Sequence, residues 1–232
     1  MTGSRHGLLP GLADVEIDCV EIDLPGGRAR VQRHLVTNAL LCRVVNEADL
    51  ESWQWGGYRC LNDFNDDQPV KRDWLTRRLE VDGRSADHPA VGVSWLGAAA
   101  FATAVGGRLL LPAEWAWLAS NGGRSTYPWG DEAPAPWRAN YAEYVGSTTP
   151  VGQYPPSPLG LFDLAGNVSE WCSPAPGAEL AAEAMRLSEQ PVAGGSWNKP
   201  ADALAATTLR TKWARIGTVS IGFRVAFDLD RP

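Results

Sequence analysis

Leu161–Trp171 reads LFDLAGNVSEW. Two carboxylates, Asp163 and Glu170, stand seven residues apart, astride Ala165-Gly166-Asn167 and framed by Phe162 and Trp171. Three chemistries compete for this spacing. A calcium ion takes six to eight hard oxygens at flexible geometry, and a Gly-centred turn lets carbonyls point inward beside carboxylates. A polar turn would instead use the Asp side chain to accept backbone N–H bonds. A glycosidase-like acid/base pair is the third, and no other carboxylate pair supports it.

The flanks of this segment are rich in turns. Upstream, YPWGDEAPAPW (127–137) and STTPVGQYPPSPLG (147–160) are dense in Pro and Gly; downstream, VAGGSWN (192–198) and SIGFRVAFD (220–228) read as two late strands separated by a loop. Pro112 occupies the favoured first-turn position of a helix running to Ser120. Before it, a short buried strand ends at Ser94, which caps an alanine-rich helix stopped by Gly106-Gly107. These are the two main helices. Further upstream, Val15–Ile22 and Ala29–Leu35 flank Pro25-Gly26-Gly27 as a hairpin, and Thr37 caps a stripe of Leu40, Leu41, Val44 and Val45. Glu51–Val81 lacks a sustained period and reads as an irregular loop region, whereas the Ala/Glu-rich 176–190 segment reads as a short helix.

The chain has 232 residues, which suits a single domain over 1–232 with a flexible N-terminal segment at 1–13. Twenty-one basic against 27 acidic residues give a net charge of −6, so no average field attracts nucleic acid or an anionic membrane. No run of about 18 apolar residues is present, and the first thirty residues lack the order of a signal peptide. The expected location is cytoplasmic. Cys19, Cys42, Cys60 and Cys172 form no Cys-x-x-Cys pair, and His6, His34 and His88 no helical pair. Eleven tryptophans among 24 Gly and 17 Pro point to a loop-rich fold plugged by large rings.

The run VTNALLCRVV (36–45), HPAVGVSW (88–95), GGRLLLPAEWAWLASNGG (106–123), YPWGDE (127–132), ANY (139–141), TTPVGQYPPSPLGLFDLAGNVSEWC (148–172), GGSWN (194–198) and IGFRVAFD (221–228) resembles the formylglycine-generating enzyme/sulfatase-modifying factor family. The resemblance implies an α+β, C-type-lectin-like fold with little regular secondary structure and short antiparallel strands. It also implies a structural Ca²⁺ held by Asp163, Gly166, Val168 and Glu170, but not the second calcium site of some relatives, since NYAEYVGSTTPVG (140–152) contains no Asp. The enzymes of this family bind copper(I) through two cysteines soon after the GGS motif; here Lys199 and Leu204 stand near those places, and no cysteine follows Cys172. The sulfoxide-synthase branch needs a three-histidine iron site and an extra helical domain. Neither copper nor iron is therefore expected. On the face where relatives bind peptide the resemblance places Trp197, Asn198, Lys199, Arg210, Lys212, Trp213 and Arg215, types frequent at binding hot spots. Arg224 of GFR is expected to be buried against Glu114 or Glu170. The expected function is a non-catalytic binding or accessory module recognising a protein, peptide or small molecule through the loop 198–220. The rivals are a sulfatase-modifying-factor-like oxidoreductase or metal-dependent tailoring enzyme with different active-site residues, and a retroelement-diversified variable protein.

Overall fold

The computed structural model describes residues 12, 15–48, 54–55, 58–59, 61, 69–73, 75–76, 78–178 and 187–229. The readings of residues 1–13 (apart from Leu12), of Cys60 and of the centre of the 176–190 segment lie outside the described residues.

The chain begins with the expected hairpin, β1 (Cys19–Leu24) against β2 (Gly27–Gln32), pairing Val20 with Val31 and Ile22 with Ala29. Gly27 closes its turn at φ 128°, a backbone state that costs other residues dearly. Helix α1 (Asn38–Glu47) comes next, with the Thr37 hydroxyl accepting the Leu40 N–H at 3.2 Å. Two small ladders come after it: β3 (Gln54–Trp55) with β4 (Tyr58–Arg59), and β5 (Val70–Arg72) with β6 (Leu79–Val81). The segment read as irregular thus carries pairing, though each strand is only two or three residues long.

Ser94 caps α2 (Trp95–Ala104) by accepting the Gly97 N–H at 3.1 Å. This helix is apolar around nearly its whole circumference, and Trp95, Leu96, Ala98, Ala99 and Phe101 are all buried. Strand β7 (Arg108–Leu109) leads into α3 (Pro112–Ala119), which starts at the proline; Glu114 reaches back to accept the Leu111 N–H at 2.9 Å. After a long run of turns come β8 (Ser169–Trp171), β9 (Glu189–Ala193), a 3₁₀ turn (Ala201–Leu204), β10 (Leu209–Trp213), β11 (Ile221–Gly222) and β12 (Val225–Asp228). The two main helices expected both form, and the stripe capped by Thr37 forms α1, as long as α2 at 10 residues. The strand expected before Ser94 does not form. Ala90 donates to Val36 and Gly92 to Thr218, so its backbone partners lie on two different segments and no continuous ladder develops.

Two four-stranded sheets organise the fold: β1-β2-β12-β7, entirely antiparallel, and β10-β9-β8-β11, in which only β8 and β11 run parallel. The tryptophans act as tied plugs. Trp95 donates its indole N–H to the Cys172 carbonyl and Trp171 to the Val93 carbonyl, at 2.8 and 2.9 Å, so the two rings lock α2 to β8. Trp115 fills a second cluster with Leu118, Leu161 and Leu164 beneath α3. Two arginines tie distant elements. Arg108 spans Glu114 and Asp228, while Arg224 clasps Glu170. Of the two carboxylates expected for Arg224, the fold thus selects Glu170.

Candidate functional site

The Leu161–Trp171 segment earns its composition through three left-handed residues: Asp163 (φ 56°), Gly166 (φ 82°) and Asn167 (φ 59°). A Cβ on Gly166 would sit 2.4 Å from the Asn140 carbonyl oxygen, so only glycine fits there. Asn167 then staples the turn to its neighbour, accepting the Thr149 N–H at 3.0 Å and donating to the Thr149 carbonyl at 3.1 Å. Asp163 accepts the Gly152 N–H at 2.8 Å, and burial pushes its carboxyl up to about 6 despite that bond and the Arg224 charge. Glu170 is 1% exposed, and both of its oxygens accept from Arg224, at 2.7 and 2.8 Å. The remaining Arg224 donors go to the carbonyls of Gln32, Arg33 and Phe162.

This arrangement bears on the calcium expectation. Asp163, Gly166, Val168 and Glu170 offer the hard oxygens a calcium ion prefers. Yet Glu170 is neutralised by a bidentate guanidinium, Asp163 holds a backbone amide, and a dication placed against Glu170 would face the Arg224 charge. As arranged, the four do not fit calcium as a set.

The residues expected to form a binding loop separate into three roles. Trp197 is held rigidly: its indole N–H donates to the Val219 carbonyl at 3.2 Å and its own N–H to the Asn167 carbonyl. Asn198 accepts the Ser196 hydroxyl, and the Lys199 carbonyl accepts the Ala142 N–H, so this corner is braced by its backbone. Arg210 turns inward, donating to the Gly194 carbonyl at 2.7 Å and the Ser169 hydroxyl at 3.2 Å. It is a strut between β10 and β8. Trp213 is 43% exposed, with the Arg215 guanidinium 6.0 Å from its ring centre. Leu204, beside the place of a copper cysteine in the enzymes, is fully buried.

A cleft of about 690 Å³ is lined by Trp197 and Val219 together with Lys71, Glu80, Asp82, His88 and Thr148. Lys71 and Glu80 face each other across β5 and β6. His88 Nδ1 lies 2.9 Å from the Thr148 hydroxyl oxygen, and burial lowers its pKa, favouring the neutral ring. Such a cleft offers hydroxyls, a neutral imidazole, paired charges and an aromatic wall, which suits a polar ligand. Sequence reasoning passed over His88 and the 70–82 segment. His88 had no partner at helical spacing, and Thr148 is sixty residues away.

A family model described as the sulfatase-modifying factor enzyme 1-like domain matches residues 29–229. A Chlamydia pneumoniae protein named serine/threonine-protein kinase pkn1 is 32% identical over 85% of this chain and 32% of its own length. A Mycolicibacterium thermoresistibile protein named hercynine oxygenase is 29% identical over 96% of this chain and 55% of its own length. The chain thus spans between about a third and about half of these relatives. The crystal structure of CarF shares the fold, with a TM-score of 0.65 at 21% identity, covering 93% of this chain and 99% of CarF.

Proposed function

The chain belongs to the sulfatase-modifying factor enzyme 1-like family and has its C-type-lectin-like fold; from that premise we propose that it is a non-catalytic recognition module, binding a protein, peptide or small ligand on the face formed by residues 197–220. The observation that carries this reading is a substitution of chemistry. Where the resembling oxidases place two thiolates after GGS, this chain has Lys199 and a buried Leu204, and its last cysteine is Cys172. A soft copper(I) ion has no sulfur to bind there. Cys172 itself is fully buried, and burial raises its thiol well above the usual range, which opposes thiolate formation. The 197–220 stretch keeps side chains suited to docking: Trp197 and Val219, which line the cleft, and the exposed Trp213 with Arg215. The match to about a third of a kinase-named protein accords with a domain that serves as one part of larger assemblies.

The test has two arms. Purified chain is loaded anaerobically with copper(I) or iron(II), dialysed, analysed for retained metal and assayed for oxygen uptake with a cysteine-containing peptide and with hercynine. Neither stoichiometric metal nor turnover is expected, and finding both overturns the reading. In the second arm, Trp213→Ala with Arg215→Ala weakens ligand binding while the melting temperature hardly moves. A tailoring-enzyme reading draws on two observations, the hercynine oxygenase likeness over 96% of the chain and His88 in the cleft. The first arm decides between the two.

A further inference from the structure

Strand β10 is the outermost strand of the sheet β10-β9-β8-β11. Its register with β9 pairs Arg210 with Val192 and Lys212 with Gln190, and the ladder continues as Gly194 N–H to Thr208 carbonyl and Ala214 N–H to Ser188 carbonyl. In an antiparallel ladder the bonded positions alternate. The even-numbered residues therefore bond to β9, while Leu209, Thr211 and Trp213 turn their amides to the open edge. Ile216 closes one end by donating to the Trp213 carbonyl. Edges of this kind are normally blunted by a proline, a bulge or inward-pointing charge. Here Arg210 is drawn inward to Gly194 and Ser169, and Leu209, Thr211 and Trp213, whose amides face the edge, are uncharged, with Leu209 53% and Trp213 43% exposed.

From this edge we infer that β10 accepts an extended, acidic peptide segment of a partner protein, which adds as a fifth strand. The inference rests on the recognition reading above and gives that face its partner chemistry. Backbone ladder bonds to Leu209, Thr211 and the Trp213 N–H supply affinity without sequence preference, and the apolar Leu209 and Trp213 receive alternate side chains. Charge selects the occupant. Within a chain of net charge −6, Lys212 and Arg215 stand at this edge, and no ion pair engages either among the described residues. Glu189, the one carboxylate across from Trp213, is taken up by the Thr211 hydroxyl. A second copy of this chain is the poorer occupant, because antiparallel pairing of β10 with itself about Thr211 sets Lys212 opposite Arg210 of the copy, cation against cation.

The test uses three labelled heptapeptides: alternating Glu and Val, the same with Lys for Glu, and the Glu peptide N-methylated at alternate backbone nitrogens. Fluorescence anisotropy against the full chain should give saturable binding of the acidic peptide below about 1 mM, weakened by salt. The Lys and N-methylated peptides should bind at least about tenfold more weakly. Thr211→Pro should cause the same loss with little change in melting temperature, because this N–H does not face β9. N-methylation is the control should that variant fail to fold. An acidic peptide that does not bind, or that binds equally after N-methylation, overturns strand addition. So does a dimer in sedimentation that Thr211→Pro dissolves, which would make the second copy the occupant. None of these outcomes touches the recognition reading, which falls on metal retention with turnover or on ligand binding that survives Trp213→Ala with Arg215→Ala.

Discussion

Removing Arg224 tests what this fold relies on at its centre. Arg224 and Glu170 are each 1% exposed, and the guanidinium donates twice to the carboxylate and to the carbonyls of Gln32, Arg33 and Phe162. Arg224→Met removes the fork while keeping apolar bulk. Glu170 is then a buried charge without compensation, a loss of about 3–5 kcal/mol for a broken buried pair. Three carbonyls lose donors as well, at up to about 1 kcal/mol each when relaxation or water does not replace them. A loss near 4 kcal/mol is a large share of the roughly 5–15 kcal/mol that holds a domain together. At about 2–4 °C per kcal/mol for a chain of this size, the melting temperature should fall by roughly 8–16 °C. Arg224→Lys keeps the charge but not the fork and should fall between wild type and Arg224→Met. Calorimetry and urea unfolding of Arg224→Met, Glu170→Gln and the double variant close a thermodynamic cycle, whose coupling should exceed about 1.5 kcal/mol. A fall below about 3 °C for Arg224→Met, or strict additivity, would refute the argument.

Three other outcomes rest on particular contacts. With Glu170 committed to Arg224, millimolar Ca²⁺ in place of EDTA should leave the melting temperature unchanged; a site saturated at 100 times its Kd would add about 2.7 kcal/mol, so a rise of several degrees rejects that assignment. A Cβ on Gly217 would meet the Gly92 carbonyl oxygen at 1.9 Å, whereas one on Gly83 meets nothing, so Gly217→Ala should cost about 2 kcal/mol or more in urea unfolding and Gly83→Ala less than about 0.5. Burial lowers the pKa of His88, so the unfolded chain takes up that proton first; its stabilising contribution is present above about pH 6.5 and is lost as pH falls below it. His88→Gln should accordingly lose less stability than wild type between pH 7 and 5, and parallel curves would show that the imidazole is not held neutral by the fold.

The residues that punctuate local structure were legible without coordinates. Thr37 and Ser94 cap helices through bonds to amides three residues on, and Pro112 opens α3, because a helix start is decided within one turn of chain. The eight ordered motifs carried the family and its fold for the same reason: each is a short stretch whose backbone demands, such as the left-handed Gly166, are met by its own residues. Tertiary structure decided the rest. That Arg224 clasps Glu170 and Arg108 takes Asp228, that Arg210 is a strut while Trp213 lies open, and that His88 meets Thr148 all depend on contacts between residues far apart in the chain. A side chain's type restricts its possible partners, but only closure of the two sheets, with its burial and ladder register, determines which partner is within reach and which strand edge is left to the solvent.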